Sequence, residues 1–230
     1  MKKLFLLLIL FCGISSAQSK DPNAILDNVK KNFNKVQDYE VNVKIKVDVA
    51  FLKVPGTEAK IYYKQPNKIQ FQSESFALLP KEGLNFSPLS LLKEEHTAIY
   101  DREDTIDGHK TSVIKVIPLG DASNVILSTL WIDQSVNVIR KIESTTKTGG
   151  TFSIELRYDK SLNNYPLPSS MIFTFNVDRM QIPKGLSGDM SSDEKKKDEN
   201  KSTTGKVYIT YSDYKVNKGI PDEIFEKKKK

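Results

Sequence analysis

Apolar residues recur along this chain with two periods, and the switch between them sets out its architecture. From Asp21 to about Gln37, Ile25, Leu26, Val29, Phe33 and Val36 fall on one stripe at helical spacing, with Lys30, Lys31, Asn34 and Lys35 on the other side. Asp21 offers an N-cap acceptor, and Pro22 suits the first helical position. From Val41 the period drops to two. Val41, Val43, Ile45, Val47 and Val49 alternate with Asn42, Lys44, Lys46 and Asp48, which predicts a long half-buried strand. Pro55-Gly56 turns the chain into Ala59–Tyr63, and Gln65-Pro66-Asn67 turns it again into Ile69–Gln72. Three antiparallel strands with one polar face describe an open sheet.

The stretch from Thr105 to Ser144 reads as three further strands in series, Val113–Ile117, Val125–Ile132 and Val136–Ile142, parted by Pro118-Leu119-Gly120-Asp121 and Asp133-Gln134-Ser135. Phe152–Tyr158 follows Gly149-Gly150, then come Met171–Val177 and Lys206–Tyr211. Residues Lys184 to Gly205 contain almost nothing apolar and read as a flexible excursion. At the end, Ile220, Ile224 and Phe225 can pin down a final turn. Phe76 to Leu92 breaks the β rhythm with eight large apolar residues, Phe76, Leu78, Leu79, Leu84, Phe86, Leu89, Leu91 and Leu92, punctuated by Pro80, Gly83 and Pro88. It predicts one or two short helices or an apolar loop, either a plug in a core or a lid over a cavity. The sum is a mainly β (α+β) chain: a curved antiparallel sheet of about ten strands, one long helix and a short helical lid.

The first seventeen residues stand apart. Lys2-Lys3, an unbroken apolar run from Leu4 to Phe11, and Ser15-Ser16-Ala17 give the order of a secretory signal cleaved after Ala17. Residues 18–230 are then one exported, soluble domain with an insertion at about 184–205, because no later segment has the ~20 apolar residues a membrane helix needs. Cys12 follows Phe11 and not the small residue that a lipoprotein signal wants, so a plain signal is expected. The mature chain then has no cysteine, hence no disulfide and no thiolate chemistry. Net charge is +6 over the full chain, but acidic residues are mixed throughout and there are only four arginines. A solvated lysine-rich surface accounts for this without nucleic acid.

The search for chemistry is sparse. His96 and His109 have no partner set, and there is no Gly-x-Ser-x-Gly elbow. Asp101 to Gly108 resembles a calcium loop only in composition, since its fifth position is Thr105 and its twelfth is Ser112. It reads as an acidic turn before a strand. No metal, cofactor or enzymatic activity is expected. The apolar surface is more informative: a groove can hold an acyl chain at ~0.8 kcal/mol per buried methylene with no catalytic group.

The amphipathic first helix, the long alternating strand and Lys64-Gln65-Pro66-Asn67-Lys68-Ile69 together resemble the periplasmic lipoprotein carriers of the LolA type and their wider superfamily, including the LolB acceptors. So do Leu130-Trp131-Ile132-Asp133 with Val138-Ile139-Arg140-Lys141, and the ending from Tyr211 to Phe225. The resemblance spans most of the mature chain. It implies an unclosed β-barrel lidded by helices, an apolar cavity for lipoprotein or lipid acyl chains, membrane-bound donor and acceptor proteins, a monomer, and an arginine that helps close the lid. Arg102, Arg140, Arg157 and Arg179 are the candidates for that arginine. The expected ligand contacts are Leu26, Val29 and Phe33 on the helix, the eight lid residues, Trp131, and one sheet face comprising Val43, Ile45, Phe71, Phe152, Ile154, Phe173 and Phe175. Each also reads as plain core packing.

Overall fold

The computed structural model describes residues 20–49, 55–73, 92, 95–120, 123–147, 150–159, 165–176 and 204–226. Residues 1–17, read as an export signal, all of the segment read as a lid but Leu92, Arg179 and most of the span read as an insertion lie outside these residues. Helix α1 (Pro22–Phe33) is followed by β1 (Asp38–Asp48), β2 (Thr57–Lys64), β3 (Lys68–Gln72), β4 (His96–Ile106), β5 (His109–Pro118), β6 (Val125–Asp133), β7 (Val138–Thr146), β8 (Thr151–Arg157), β9 (Ser170–Asn176) and β10 (Thr204–Val216). A 3-10 turn, Asp222–Phe225, lies near the end of the described chain.

All ten strands form one antiparallel sheet in the order β3-β2-β1-β10-β9-β8-β7-β6-β5-β4. From β4 to β10 the sheet is a meander. It continues through β1, which pairs with β10 and so joins the two ends of the chain. β3 and β4 remain as edges, so the sheet is an unclosed barrel.

The two faces can be read from the register, because residues directly opposite on neighbouring antiparallel strands point to the same side. One row runs Ile114, Leu130, Ile142, Ile154, Phe173, Val207, Val47. Every member belongs to the core or packs on it. The adjacent row runs Val113, Trp131, Lys141, Glu155, Ile172, Tyr208, Lys46 and is the outer face, on which Val113 and Trp131 are nevertheless buried. Helix α1 lies on the inner face against β4 and β7, burying Ile25, Leu26 and Val29.

Three expectations need correction. The helix ends at Phe33 instead of Gln37: Asn34 caps it, and Lys35 and Val36 donate to Asn32 and Phe33 in tightened turns. Val36 is fully buried from that turn and not from the helical stripe. Asp101 to Ile106 is not an acidic turn but the second half of edge strand β4, and only Asp107-Gly108 turns, both with positive φ (48° and 79°) as a type I′ hairpin requires. Charge belongs on an edge strand because it discourages pairing with another chain. Lys115 and Arg102 also neutralise Asp101, at 3.1 and 2.6 Å. Finally, β10 extends five residues beyond Tyr211 and begins at Thr204, inside the span read as insertion.

A second set of contacts pins the chain end. The buried Asp38 carboxylate accepts the backbone N–H of Lys218 (2.9 Å) and Gly219 (3.1 Å), and Asn217 bridges the Gln37 N–H and the Lys35 carbonyl. Lys64 reaches the Ile220 carbonyl (2.8 Å) and Asp222 (2.7 Å), tying β2 to the 3-10 turn. No described helix is long and apolar enough to cross a membrane.

Candidate functional site

A cavity of about 80 Å³ lies between α1, the β1–β3 end of the sheet and the β6–β7 turn. Val29 and Phe33 reach it from α1. Tyr39, Ile61, Tyr63 and Ile69 line it from β1 to β3, Val138 and Ile139 from β7, and Leu156, Met171 and Tyr211 from the strands between. Tyr158, Pro166, Leu167, Pro168 and Tyr214 complete it, with Asn137 as its one amide. No charged side chain is among these residues.

Four of the five tyrosines form one connected group of rings. Tyr39 stacks on Tyr63 with centroids 5.1 Å apart and meets Tyr214 edge-on at 5.7 Å, while Tyr211 and Tyr214 stack at 6.1 Å. Phe33 joins from the helix, 6.0 Å from Tyr63. Two hydroxyls are committed: Tyr158 donates to the Ile139 carbonyl (2.8 Å) and Tyr214 to that of Pro168 (2.9 Å). Tyr211 finds only the Met171 sulfur, at 4.0 Å. Burial raises the phenol pKa of Tyr39, Tyr63, Tyr158, Tyr211 and Tyr214 above the ordinary value, so all stay neutral O–H groups.

Beneath Tyr158 sits the principal buried charge pair. The Arg140 guanidinium lies 5.9 Å from the Tyr158 ring and gives Nε and Nη2 to Asp133 Oδ2, at 2.9 and 2.7 Å. Burial opposes ionisation of Asp133, but hydrogen bonds from Ser135 and Arg140 outweigh it and hold the carboxyl below the usual aspartate range. Of the other arginine candidates, Arg102 pairs on the exposed β4 edge and Arg157 pairs with Asp107 at 3.3 Å, also exposed.

Two expected ligand contacts, Val29 and Phe33, line this cavity. Leu26, Val43, Ile45, Leu92, Ile154 and Phe175 are buried in the continuous core, and Phe71, Phe152 and Phe173 pack against it. Phe152, Phe173 and Phe175 form a separate ring cluster at 5.7 and 5.3 Å. Phe76, Leu78, Leu79, Leu84, Phe86, Leu89 and Leu91 lie outside the described residues. Trp131 is on the outer face: its indole N–H donates to Asp104 Oδ2 (2.9 Å), and the Lys141 ammonium sits 4.7 Å over its ring. The tyrosines are not among the expected contacts, although the sequence carries a signal for them. Tyr39 shares parity with Val41, Val43 and Ile45, Tyr63 with Ala59 and Ile61, and Tyr211 with Val207 and Ile209, so extending each alternation by two residues reaches them.

A larger open depression, about 650 Å³, lies beside Lys44, Lys46, Glu58 and Tyr208. Its charged rim and open form suit solvent better than a ligand. His96 and His109 are not among the described residues that line the apolar cavity, and no group of three or more His, Cys, Asp or Glu among the described residues could hold a metal.

No protein-family model matches the chain, and no curated protein matches its sequence. Solved structures do match its fold. A DUF1329 family protein from Desulfovibrio piger ATCC 29098 superposes with a TM-score of 0.60 at 14% identity, over 90% of this chain and 98% of that one. A LolA superfamily protein from Nitrosomonas europaea gives 0.54 at 15% identity, over 91% and 99%. A Vibrio parahaemolyticus domain ascribed to outer membrane lipoprotein sorting gives 0.57 at 12%, over 90% and 98%. At such identities the likeness is one of fold.

Proposed function

Starting from the LolA-like fold of this chain, we propose that it is a periplasmic carrier. In this reading it binds acyl chains of lipoproteins or lipids in the tyrosine-rich cavity, carries out no covalent chemistry, and moves its cargo towards the outer membrane. The observation that carries the proposal is that no charged side chain is among the described residues of a concave site with so much apolar lining. Such a site favours a ligand through methylene burial, ~0.8 kcal/mol each, and rejects ions for want of a counter-charge. The LolA superfamily protein and the lipoprotein-sorting domain named above support the same reading by their descriptions.

Size sharpens it. About 80 Å³ is roughly half the ~150 Å³ cavity that takes a benzene ring. The site as it stands accommodates one end of a chain, and longer cargo displaces α1 or the residues around it. Membrane-bound donor and acceptor proteins would load and unload the site.

The test is titration of the full mature chain with a dansyl-labelled acyl probe, together with native mass spectrometry of protein purified from envelope extracts. Saturable probe uptake and copurifying lipid are expected. Trp131, on the outer face, should report none of it, so its emission serves as the internal control. Absence of both uptake and lipid defeats the proposal. A second reading, an envelope sensor or assembly module, draws on Ile99, Ile117 and Ile126, which stand exposed on β4, β5 and β6. A stoichiometric protein partner without lipid would favour it.

A further inference from the structure

The outer face of β3, β2, β1 and β10 contributes no charged side chain to the cavity, and its charges follow a pattern of their own. Lys215 (2.7 Å) and Lys60 (3.6 Å) converge on Glu40, and Lys64 (2.7 Å) and Lys68 (3.1 Å) converge on Asp222 of the 3-10 turn. Each carboxylate thus serves two ammonium groups, which leaves a positive charge over at each place. At Glu40 the cations also stand further out: its side chain is 23% exposed, against 38% for Lys60 and 62% for Lys215. Lys44 pairs with Glu58 at 3.2 Å, and Lys46 and Lys206 lie exposed on the same face. Lysines outnumber carboxylates there even with Asp48 and Asp213 included. Two half-buried tyrosines stand among them, Tyr62 between Lys60 and Lys64 on β2 and Tyr208 opposite Lys46.

We propose that this face docks the protein on an anionic phospholipid bilayer. The charge excess supplies the attraction, and it is spread over four hydrogen-bonded strands, about 14 Å across, so it meets several headgroups at once and not one bound anion. Lysine suits such a partner, because its ammonium is a compact, hydrated charge on a flexible stem that follows scattered phosphates without a fixed geometry. Tyrosine, with an apolar ring and a polar tip, is at home at headgroup depth. The other end of the sheet is different. There Lys115 and Arg102 share Asp101, Arg102 also reaches Asp104, and Lys141 has Glu143, so cations and carboxylates balance. That asymmetry orients the molecule, with β1, β2, β3 and β10 towards the lipid. The proposal does not depend on what the cavity holds.

The experiment is sedimentation of the full mature chain with two kinds of vesicle, phosphatidylcholine alone and a phosphatidylcholine–phosphatidylglycerol mixture of the same acyl composition. Both carry the same chains, so any uptake into the cavity contributes equally and the difference reads the surface. Binding to the mixed vesicles should be at least about tenfold tighter than to the neutral ones in about 0.1 M salt, and the difference should vanish in about 1 M. Lys60→Gln with Lys215→Gln should lower it about tenfold. Lys115→Gln with Lys141→Gln removes as much charge from the other end of the sheet and should stay within about twofold. Every variant keeps Lys227 to Lys230, so the comparison reads the face and not that basic run. Lys46→Gln with Lys206→Gln repeats the test should the first pair fold poorly by circular dichroism. Equal binding to both vesicle types overturns the proposal. So does a loss shared by the variants at both ends, which would mark a response to net charge alone. Either result leaves the acyl-binding reading standing, since that reading falls only on the dansyl titration and the copurified lipid.

Discussion

Arg140 shows what one side chain can fix in this fold. Its side chain is 9% exposed and that of Asp133 is 2%, so the pair lies out of water and its geometry replaces the lost hydration. Ser135 satisfies the second carboxylate oxygen, and His109 Nδ1 stands 3.5 Å from the first. Arg140→Ala leaves Asp133 charged and buried without its main partner, and should cost about 3–5 kcal/mol in urea unfolding. The groups facing Asp133 also give the sign of its pH dependence. Its folded pKa lies below the ordinary 3.8, so its contribution is complete above that value and is lost as the pH falls through the folded pKa. Wild-type stability should therefore fall below about pH 4 more steeply than that of Asp133→Asn. A flat wild-type profile through that range would refute the assignment. At this scale the sequence is only partly readable. It placed Trp131 correctly in a strand, but not the bulge between Trp131 and Ile132 or the face the indole takes. The tyrosines were hidden differently, because an amphipathic ring at a strand end fits either solvent or cavity.

At the scale of elements, α1 is the component whose displacement would enlarge the cavity. It is capped at Asp21, whose carboxylate accepts the Asn23 N–H at 2.9 Å. At its other end Asn32 donates to the carbonyls of Val136 and Asn137, at 2.9 and 3.2 Å, in the β6–β7 turn. Val29 and Phe33, which line the cavity, sit one helical turn before Asn32 and directly after it. Asn32→Ala removes that tie without touching the lining. It should lower stability by about 1 kcal/mol and raise the association rate of an acyl probe, with the dissociation rate rising in step. Stopped-flow traces unchanged from wild type would show that α1 does not gate uptake. Helix and strand identities were legible from period alone, since burial on one side imposes the pattern. β4 was the exception, because an edge strand faces solvent along one side and tolerates the charges that otherwise mark a turn.

Across the whole molecule, the pairing that matters most was invisible to any local pattern. β1 and β10 are about 170 positions apart, yet Val43 faces Tyr211, Ile45 faces Ile209 and Val47 faces Val207. Periodicity identifies each strand but says nothing of its neighbour, because any two apolar faces satisfy the same rule. What adds specificity is the polar knot at the strand ends, where Asp38 and Asn217 clasp the turn after β10. Asn217 and Gly219 both adopt positive φ there (56° and 79°), which exposes successive N–H groups to the carboxylate. With Asp38 replaced by alanine, the N–H groups of Lys218 and Gly219 lose their acceptor in a half-buried site. Asp38→Ala should cost about 1–3 kcal/mol. The loss should appear mainly as slower folding if the clasp forms with the β1–β10 pairing, since bringing such distant segments together is the costly step. Chevron analysis decides: a change confined to the unfolding arm would mean that the clasp forms after the sheet has joined, and that the apolar rows find their register without it.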